Sequence, residues 1–258
     1  MRPFPQYANV ILRANNWGNS SYHGFNLKVE KRFSKGLNLL SNYTWSKFLD
    51  DVQSAADAGG AGAQSYNARH LDKSYSGNDI RHRWVSSAVF ELPVGHGRAL
   101  ELPAGWVDKA FGGWSLGVIA ESRTDLPFGV VEQTNRLNAF SSSQRPNLVS
   151  PWRLTGDRPR AEQIAQFFNP AAFVFPGDGV LGNSPRNVGA GSVGLDMSLL
   201  KDVAVRERVS LQLRGEFFGI LNRPNFGLPN GARGSAAFGT IAGAGGARQI
   251  QLGLRLVF

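Results

Sequence analysis

The eleven residues from Arg248 to Phe258, RQIQLGLRLVF, place apolar side chains at Ile250, Leu252, Leu254, Leu256 and Phe258 and set Gln249, Gln251, Gly253 and Arg255 between them. A two-residue period sends alternate side chains to opposite faces of a strand. Over this length it describes a strand with one face in lipid and the other in water. A tilted membrane-spanning strand needs about 9 to 11 residues, longer than the strands usual in soluble sheets. No stretch approaches the roughly 18 consecutive apolar residues of a transmembrane helix. Embedding in a membrane therefore requires a barrel, the other structure that satisfies every backbone group in hydrocarbon.

The same alternation recurs upstream. Val209, Leu211, Leu213, Gly215 and Phe217 oppose Ser210, Gln212, Arg214 and Glu216, and Leu195, Met197 and Leu199 oppose Asp196 and Ser198. Trp114, Leu116, Val118 and Ala120 alternate with Ser115, Gly117, Ile119 and Glu121, where Ile119 breaks the polar face. Phe25, Leu27 and Val29 oppose Asn26, Lys28 and Glu30, a turn follows at Ser34-Lys35-Gly36, and Leu37, Leu39, Tyr43 and Trp45 return. With a weaker repeat through Trp84, Ala88, Phe90 and Leu92, strands are expected near 22–33, 37–48, 82–92, 113–123, 191–201, 208–219 and 248–258. The chain reads as all-β: a partial antiparallel transmembrane β-barrel of about seven strands. Its 31 Gly and 13 Pro suit turns and connections rather than long helices.

Connection lengths carry the topology. Short turns are expected at 34–36 and 202–207 and a medium one at 93–112, whereas 49–80, 125–190 and 220–247 are long and rich in Gly and polar residues. Outer-membrane barrels have short periplasmic turns and long external loops. With Phe258 on the periplasmic side, every short turn falls on that side and every long loop outside. Tyr43, Trp45 and Trp84 then fall near the outer rim, and Phe33, Phe90, Trp114 and Phe258 near the inner one, as aromatic girdles require. Lys28, Glu30, Glu121, Arg214, Glu216 and Arg255 face the lumen, where a salt-bridged interior that keeps strands in register is favoured over a solute path.

Other function classes find little support. A net charge of +9 raises nucleic acid, but Lys and Arg are spread along the chain with no basic helix, finger spacing or RNA-binding signature. No nucleic-acid partner is expected, and basic rims suit lipid head groups equally well. There is no cysteine, hence no disulfide framework or thiolate metal site. Gly113-Trp114-Ser115-Leu116-Gly117 matches G-x-S-x-G, yet no helical period follows and Ser115 falls on a strand's inward face. The glycines at 189, 191 and 194 match G-x-G-x-x-G, but a two-residue period follows where a dinucleotide site needs a helix. His23, His70, His82 and His96 lack metal-ligand spacing. Asp50, Asp51 and the Asp72 to Asp79 stretch lack the calcium-loop spacing and are expected to be solvated. Residues 159–168, PRAEQIAQFF, are expected to form a short loop helix with Ile164, Phe167 and Phe168 on one face. No enzyme activity, cofactor or metal is expected.

The first residues contain no apolar signal segment or cleavage site. An open apolar sheet also needs partner strands in lipid. The chain is therefore expected to be a fragment whose remaining strands lie upstream, although residues 8–14, ANVILRA, offer an eighth strand to a self-contained barrel.

Three stretches carry a resemblance: NSSYHGFNLKVEKRFSKGLNLLSNYTWSKFLDD at 19–51, Arg81-His82-Arg83 through FELPVGHGR, and LQLRGEFFGILNRPNFGLPN followed by the Phe-terminated strand. They resemble the C-terminal barrel portion of Oar-like TonB-dependent outer-membrane receptors, large chains that often begin with a carboxypeptidase-regulatory-like domain and a plug. The resemblance implies a barrel of roughly 22 strands, of which residues 1–258 would form about the last third. It also implies outer-membrane lipid as surroundings, ligand loops at 49–80 and 125–190, and engagement of the TonB system only through a plug. The alternating strand Ile250, Leu252, Leu254, Leu256 and Phe258 looks like the signal read by the barrel assembly machinery. The alternatives are a small barrel with an adhesion or structural role and a secreted carbohydrate-binding β-sandwich. The uniform outward apolar face argues against the sandwich.

Overall fold

The computed structural model describes residues 18–51, 63–103, 105–137, 143–155, 157–185, 188–206 and 209–258. Seven long strands carry the architecture: β1 (Ser20–Ser34), β2 (Leu37–Asp50), β3 (His82–Glu91), β4 (Trp114–Phe128), β5 (Val188–Arg206), β6 (Val209–Phe218) and β7 (Gln249–Val257). Each pairs antiparallel with its neighbour in sequence, so the sheet is a meander running from β1 to β7. Among the described residues β1 bonds only to β2 and β7 only to β6, which makes them the sheet's two edges. The proposed eighth strand at 8–14 lies outside the described residues.

Register turns the alternation seen in single strands into two continuous faces. Leu39, Ala88, Val118, Met197, Phe217 and Ile250 stand opposite one another across six strands, and Leu37, Phe90, Leu116, Leu199, Gly215 and Leu252 form the adjacent row. The other face carries rows such as Asn26, Thr44, Arg83, Arg123 and Ser192, or Gly117, Ser198, Glu216 and Gln251. Among the described residues no second layer covers the apolar face at β7, where Leu252 is 80% exposed, and Phe258 just beyond the strand is 94% exposed. A soluble protein buries such a face; a barrel turns it to lipid.

The turn between β1 and β2 shows why the strands reverse where they do. Lys35 (φ 53°) and Gly36 (φ 75°) both take the left-handed backbone that a two-residue hairpin requires. Strands also extend beyond the expected limits. β4 continues past residue 123 to Phe128 because, after a one-residue bulge, it keeps pairing with the start of β5 as far as Phe128 and Val188. The connection expected at 202–207 is strand as far as Arg206, since Val203 and Ala204 pair with Leu211 and Ser210. Residues 207–208 lie outside the described set. The 93–112 connection contains a one-turn helix, Trp106–Phe111, whose Asp108 carboxylate accepts from the His96 backbone N–H at 2.6 Å.

The buried core lies among the long connections rather than within the sheet. Phe128, Val130, Phe168, Ala172 and Phe173 cluster with Leu148, Trp152, Phe167, Leu228 and Phe238 packed against them. Phe168 stacks on Phe128 (centroids 5.6 Å, interplanar 17°) and meets Phe238 edge-on at 5.0 Å. Phe128 brings this cluster to the polar face: Ser192 lies opposite Arg123, Val188 opposite Phe128, and residues two or four apart on β5 share a face. The long connections thus fold as a cap over the polar side of the sheet at its loop end. The expected helix is found at Arg160–Ala165, but Ile164 is 41% exposed, so only Phe167 and Phe168 of the expected apolar face enter the packing.

Candidate functional site

The polar face holds all six residues singled out from the sequence. Lys28 and Glu30 lie two apart on β1 with Nζ and Oε2 at 2.8 Å, and Arg32 Nε also reaches Glu30 at 3.4 Å. Arg83 Nη2 meets Glu121 Oε1 at 3.2 Å across β3 and β4. Arg214 and Glu216 pair along β6. Arg255 stands opposite Gln212, whose side-chain amide donates to Asp202 at 3.0 Å. The pairs Lys28–Glu30 and Arg214–Glu216 run along one strand, so only Arg83–Glu121 has the cross-strand geometry expected to hold register. Ile250, Leu252, Leu254 and Leu256 all project from the opposite face of β7, in line with Phe217, Gly215, Leu213 and Leu211.

Ser115 sits in regular strand opposite Glu91 and Leu200, so the strained strand-to-helix turn of a hydrolase elbow is not formed there. Residues 189–194 likewise run within β5. His82 Nδ1 is 2.7 Å from the Tyr43 hydroxyl, and Trp84 Nε1 donates to Ser41 Oγ at 2.9 Å, both between β2 and β3. Among the described residues no three His, Asp or Glu side chains are grouped to hold a metal ion.

The cap shows what the sequence reading missed. The aspartates expected to be solvated are anchors instead. Asp72 is 0% exposed and Asp79 5%. Asp79 accepts the backbone N–H of Phe48 at 2.5 Å and faces Arg81, which ties the first long connection to the end of β2. Asp51 accepts from the backbone N–H of Asn19 at 2.7 Å and from its side-chain amide at 3.0 Å, and pairs with Arg69 at 2.7 Å. The carboxylates are drawn inward because each satisfies donors that the irregular backbone would otherwise leave buried and unpaired.

Two further side chains join the first and second long connections. Gln64 donates to Gly182 O (2.8 Å) and accepts from the backbone N–H groups of Arg145 (2.8 Å) and Gly182 (3.2 Å). Arg145 donates from Nη2 to Asp72 Oδ1 at 2.8 Å and to Leu71 O at 3.0 Å. The third connection is attached by a parallel pairing of Ala232–Arg233 with Val131–Glu132, over which Arg233 Nη1 reaches both Glu132 oxygens at 3.2 and 3.0 Å.

Electrostatics differ among these anchors. Burial pushes the Asp72 carboxyl above its ordinary value, opposed by the Arg145 charge, and the same burial lowers the Arg145 guanidinium. Burial acts upward on Asp51 too, but the Asn19 N–H groups and the Arg69 charge outweigh it and hold its carboxyl below the ordinary range. None of these groups has the arrangement of nucleophile, base and orienting partner that catalysis needs. What they build is a rigid cap beside a membrane wall.

No curated protein matches this chain. Residues 1–251 match the family model of an outer membrane beta barrel domain, in accord with the two-faced antiparallel meander, and the chain belongs to that family, a barrel protein of the bacterial outer membrane.

Proposed function

We propose that this chain is a sector of the wall of a TonB-dependent transporter of the Oar-like kind, with its long connections on the external side receiving the ligand. The observation that carries this reading is the pair of edges. Seven strands leave β1 and β7 running in the same direction, each bonded on one side among the described residues. Direct closure between them would require a parallel pair in an otherwise antiparallel barrel, and bacterial barrels of a single chain have even strand numbers of eight or more. An open edge in lipid is not tolerated, so at least one further strand is needed, and in this reading several join as in a large transporter barrel. The cap folded over the polar side suits a transporter, because it places polar loop residues where a solute enters the barrel mouth.

The test is to fold the purified chain into detergent micelles and liposomes and to compare unboiled with boiled samples on a denaturing gel, with circular dichroism alongside. A wall sector gives β signal without a heat-dependent mobility shift. A shifted, heat-modifiable monomer overturns the reading in favour of a small barrel that closes on its own.

A further inference from the structure

At the loop end of β4 and β5, where Ser122, Arg123, Ser192 and Val193 meet residues of the second connection and of the connection after β6, lies a cleft of about 470 Å³. This is within the range of sites that hold small molecules. Three arginines line it from three separate parts of the chain: Arg123 from β4, Arg160 from the short helix of the second connection, and Arg223 from the connection after β6. Phe167 and Phe226 form apolar portions of the lining, and no carboxylate takes part in it.

Among the described residues none of these three groups faces a carboxylate in an ion pair, unlike most of the other arginines. Arg69, Arg83, Arg98, Arg145, Arg214 and Arg233 each face a carboxylate within 3.2 Å. Among the described residues Arg123 donates only to the Ser192 hydroxyl, at 2.7 Å. Among the described residues Arg160 and Arg223 make no side-chain ion pair or hydrogen bond. Glu121, two residues before Arg123, pairs with Arg83, and Glu162, two residues after Arg160, faces Arg158. Like charges gathered without counter-charge repel one another, and a cleft with low-dielectric walls focuses their field on whatever enters.

We propose that this cleft binds a soluble oxyanion carrying at least two negative charges, a carboxylate or phosphate compound, with its less polar part against Phe167 and Phe226. The planar fork of arginine matches both oxyanions in a bidentate manner, which separates this site from a general basic rim. Arg123 and Ser192 lie on the polar face of the sheet, the side turned from lipid, which favours a solute over the phosphates of an outer-leaflet lipid. The proposal deepens the transporter reading by naming the ligand class, but binding itself is read on the chain alone, whereas the wall-sector reading stands or falls on the gel assay.

The experiment is isothermal titration of the full chain in detergent micelles with pyrophosphate and with citrate, and then of Arg123→Gln, Arg160→Gln and Arg223→Gln. Arg98→Gln, on the opposite end of the sheet, serves as comparison. Each cleft substitution should raise Kd by about tenfold or more, as expected for loss of one charge-assisted hydrogen bond. Arg98→Gln should leave it unchanged. Arg160 and Arg223 hold no structural bond, so those two variants keep the test valid if Arg123→Gln disturbs β4, with near-ultraviolet circular dichroism reporting the fold. Vesicles containing lipid A should not displace pyrophosphate; displacement by them and not by neutral vesicles would assign the site to lipid and overturn the proposal. Failure of the folded chain to bind either anion, or binding indifferent to all three substitutions, would also overturn it.

Discussion

Arg145 Nη2 lies 2.8 Å from Asp72 Oδ1, with both side chains removed from solvent, and so joins the first and second long connections across 73 residues of sequence. Removing one member of a buried pair leaves the other charge without compensation and costs about 3–5 kcal/mol, whereas replacing both by apolar groups is often neutral. Arg145→Gln and Asp72→Asn should each loosen the cap, seen as faster amide exchange around residues 64–72 and 143–148 with the strands still protected. The double change Arg145→Met with Asp72→Leu should recover most of the protection. If each single change leaves exchange as it was, the pair does not hold the cap.

Asp51 supplies a pH dependence whose sign follows from its depressed carboxyl. The anchorage of Asn19 and Arg69 is fully present above the ordinary value of 3.8 and is lost as pH falls through the lower folded-state value. Asp72 acts in the opposite sense. Its carboxyl is raised, so between 3.8 and that raised value the folded state holds the proton more tightly and its contribution grows on acidification. Comparison of the native chain with Asp51→Asn isolates the first effect. Protection of the Asn19 amide, its exchange taken relative to the unfolded-chain rate at the same pH and followed from about pH 6 to about pH 2.5, should drop below the ordinary carboxylate range in the native chain. In Asp51→Asn protection should be low throughout, with no further step.

Val118 and Ile119 are neighbours in sequence on opposite faces of β4, with Val118 between Ala88 and Met197 and Ile119 between Ser87 and Asp196. An arginine on the lipid face near mid-membrane costs roughly 2–4 kcal/mol, and one on the inner face far less. Val118→Arg should therefore impair insertion into liposomes, measured as the fraction of chain in protease-resistant β form. Ile119→Arg should insert like the native chain, because Asp196 stands opposite. Equal losses for the two variants would reject the assignment of faces.

The meander was legible because a pleated strand has one period, two, and a membrane makes both of its faces speak: apolar Leu252 and Leu254 and polar Arg255 and Gln251 leave no doubt about register. The cap was not legible for the converse reason. Phe128, Phe168, Phe173 and Phe238 lie far apart at irregular spacing and find each other only when three connections fold together. The same holds for Asp72, whose partner Arg145 lies in the motif-free segment Gln144-Arg145-Pro146-Asn147, so a solvated loop was the natural expectation. The arginine cleft escaped as well, since Arg123 is one polar residue in an alternating strand, Arg160 opens a short loop helix, Arg223 lies in a connection, and nothing in the sequence shows that the three meet. Hydrogen-bond bookkeeping within irregular connections depends on distant backbone groups, which local periodicity does not encode.

Gln64 shows how such a connection can hang on one neutral side chain. Its amide satisfies two backbone N–H groups and one carbonyl, at Arg145 and Gly182, in an interior where it is itself 1% exposed. Truncation removes all three bonds at once, and each buried group left unpaired costs about 1–3 kcal/mol. Gly182 must remain small, because a Cβ there would run into the Arg145 and Pro146 carbonyls, which are backbone and cannot swing aside. Gln64→Ala and Gly182→Ala should therefore act alike: limited proteolysis cuts residues 143–185 readily while the strand core resists. Gln64→Glu separates hydrogen bonding from packing, since it keeps the volume and one acceptor oxygen for the two N–H groups but loses the donor to Gly182 O and buries a charge. Protection in Gln64→Glu should fall between the native chain and Gln64→Ala at low pH, where the carboxyl regains a proton to donate, and approach Gln64→Ala as pH rises. A Gln64→Ala chain with native protease resistance would mean that the aromatic cluster alone holds the cap closed.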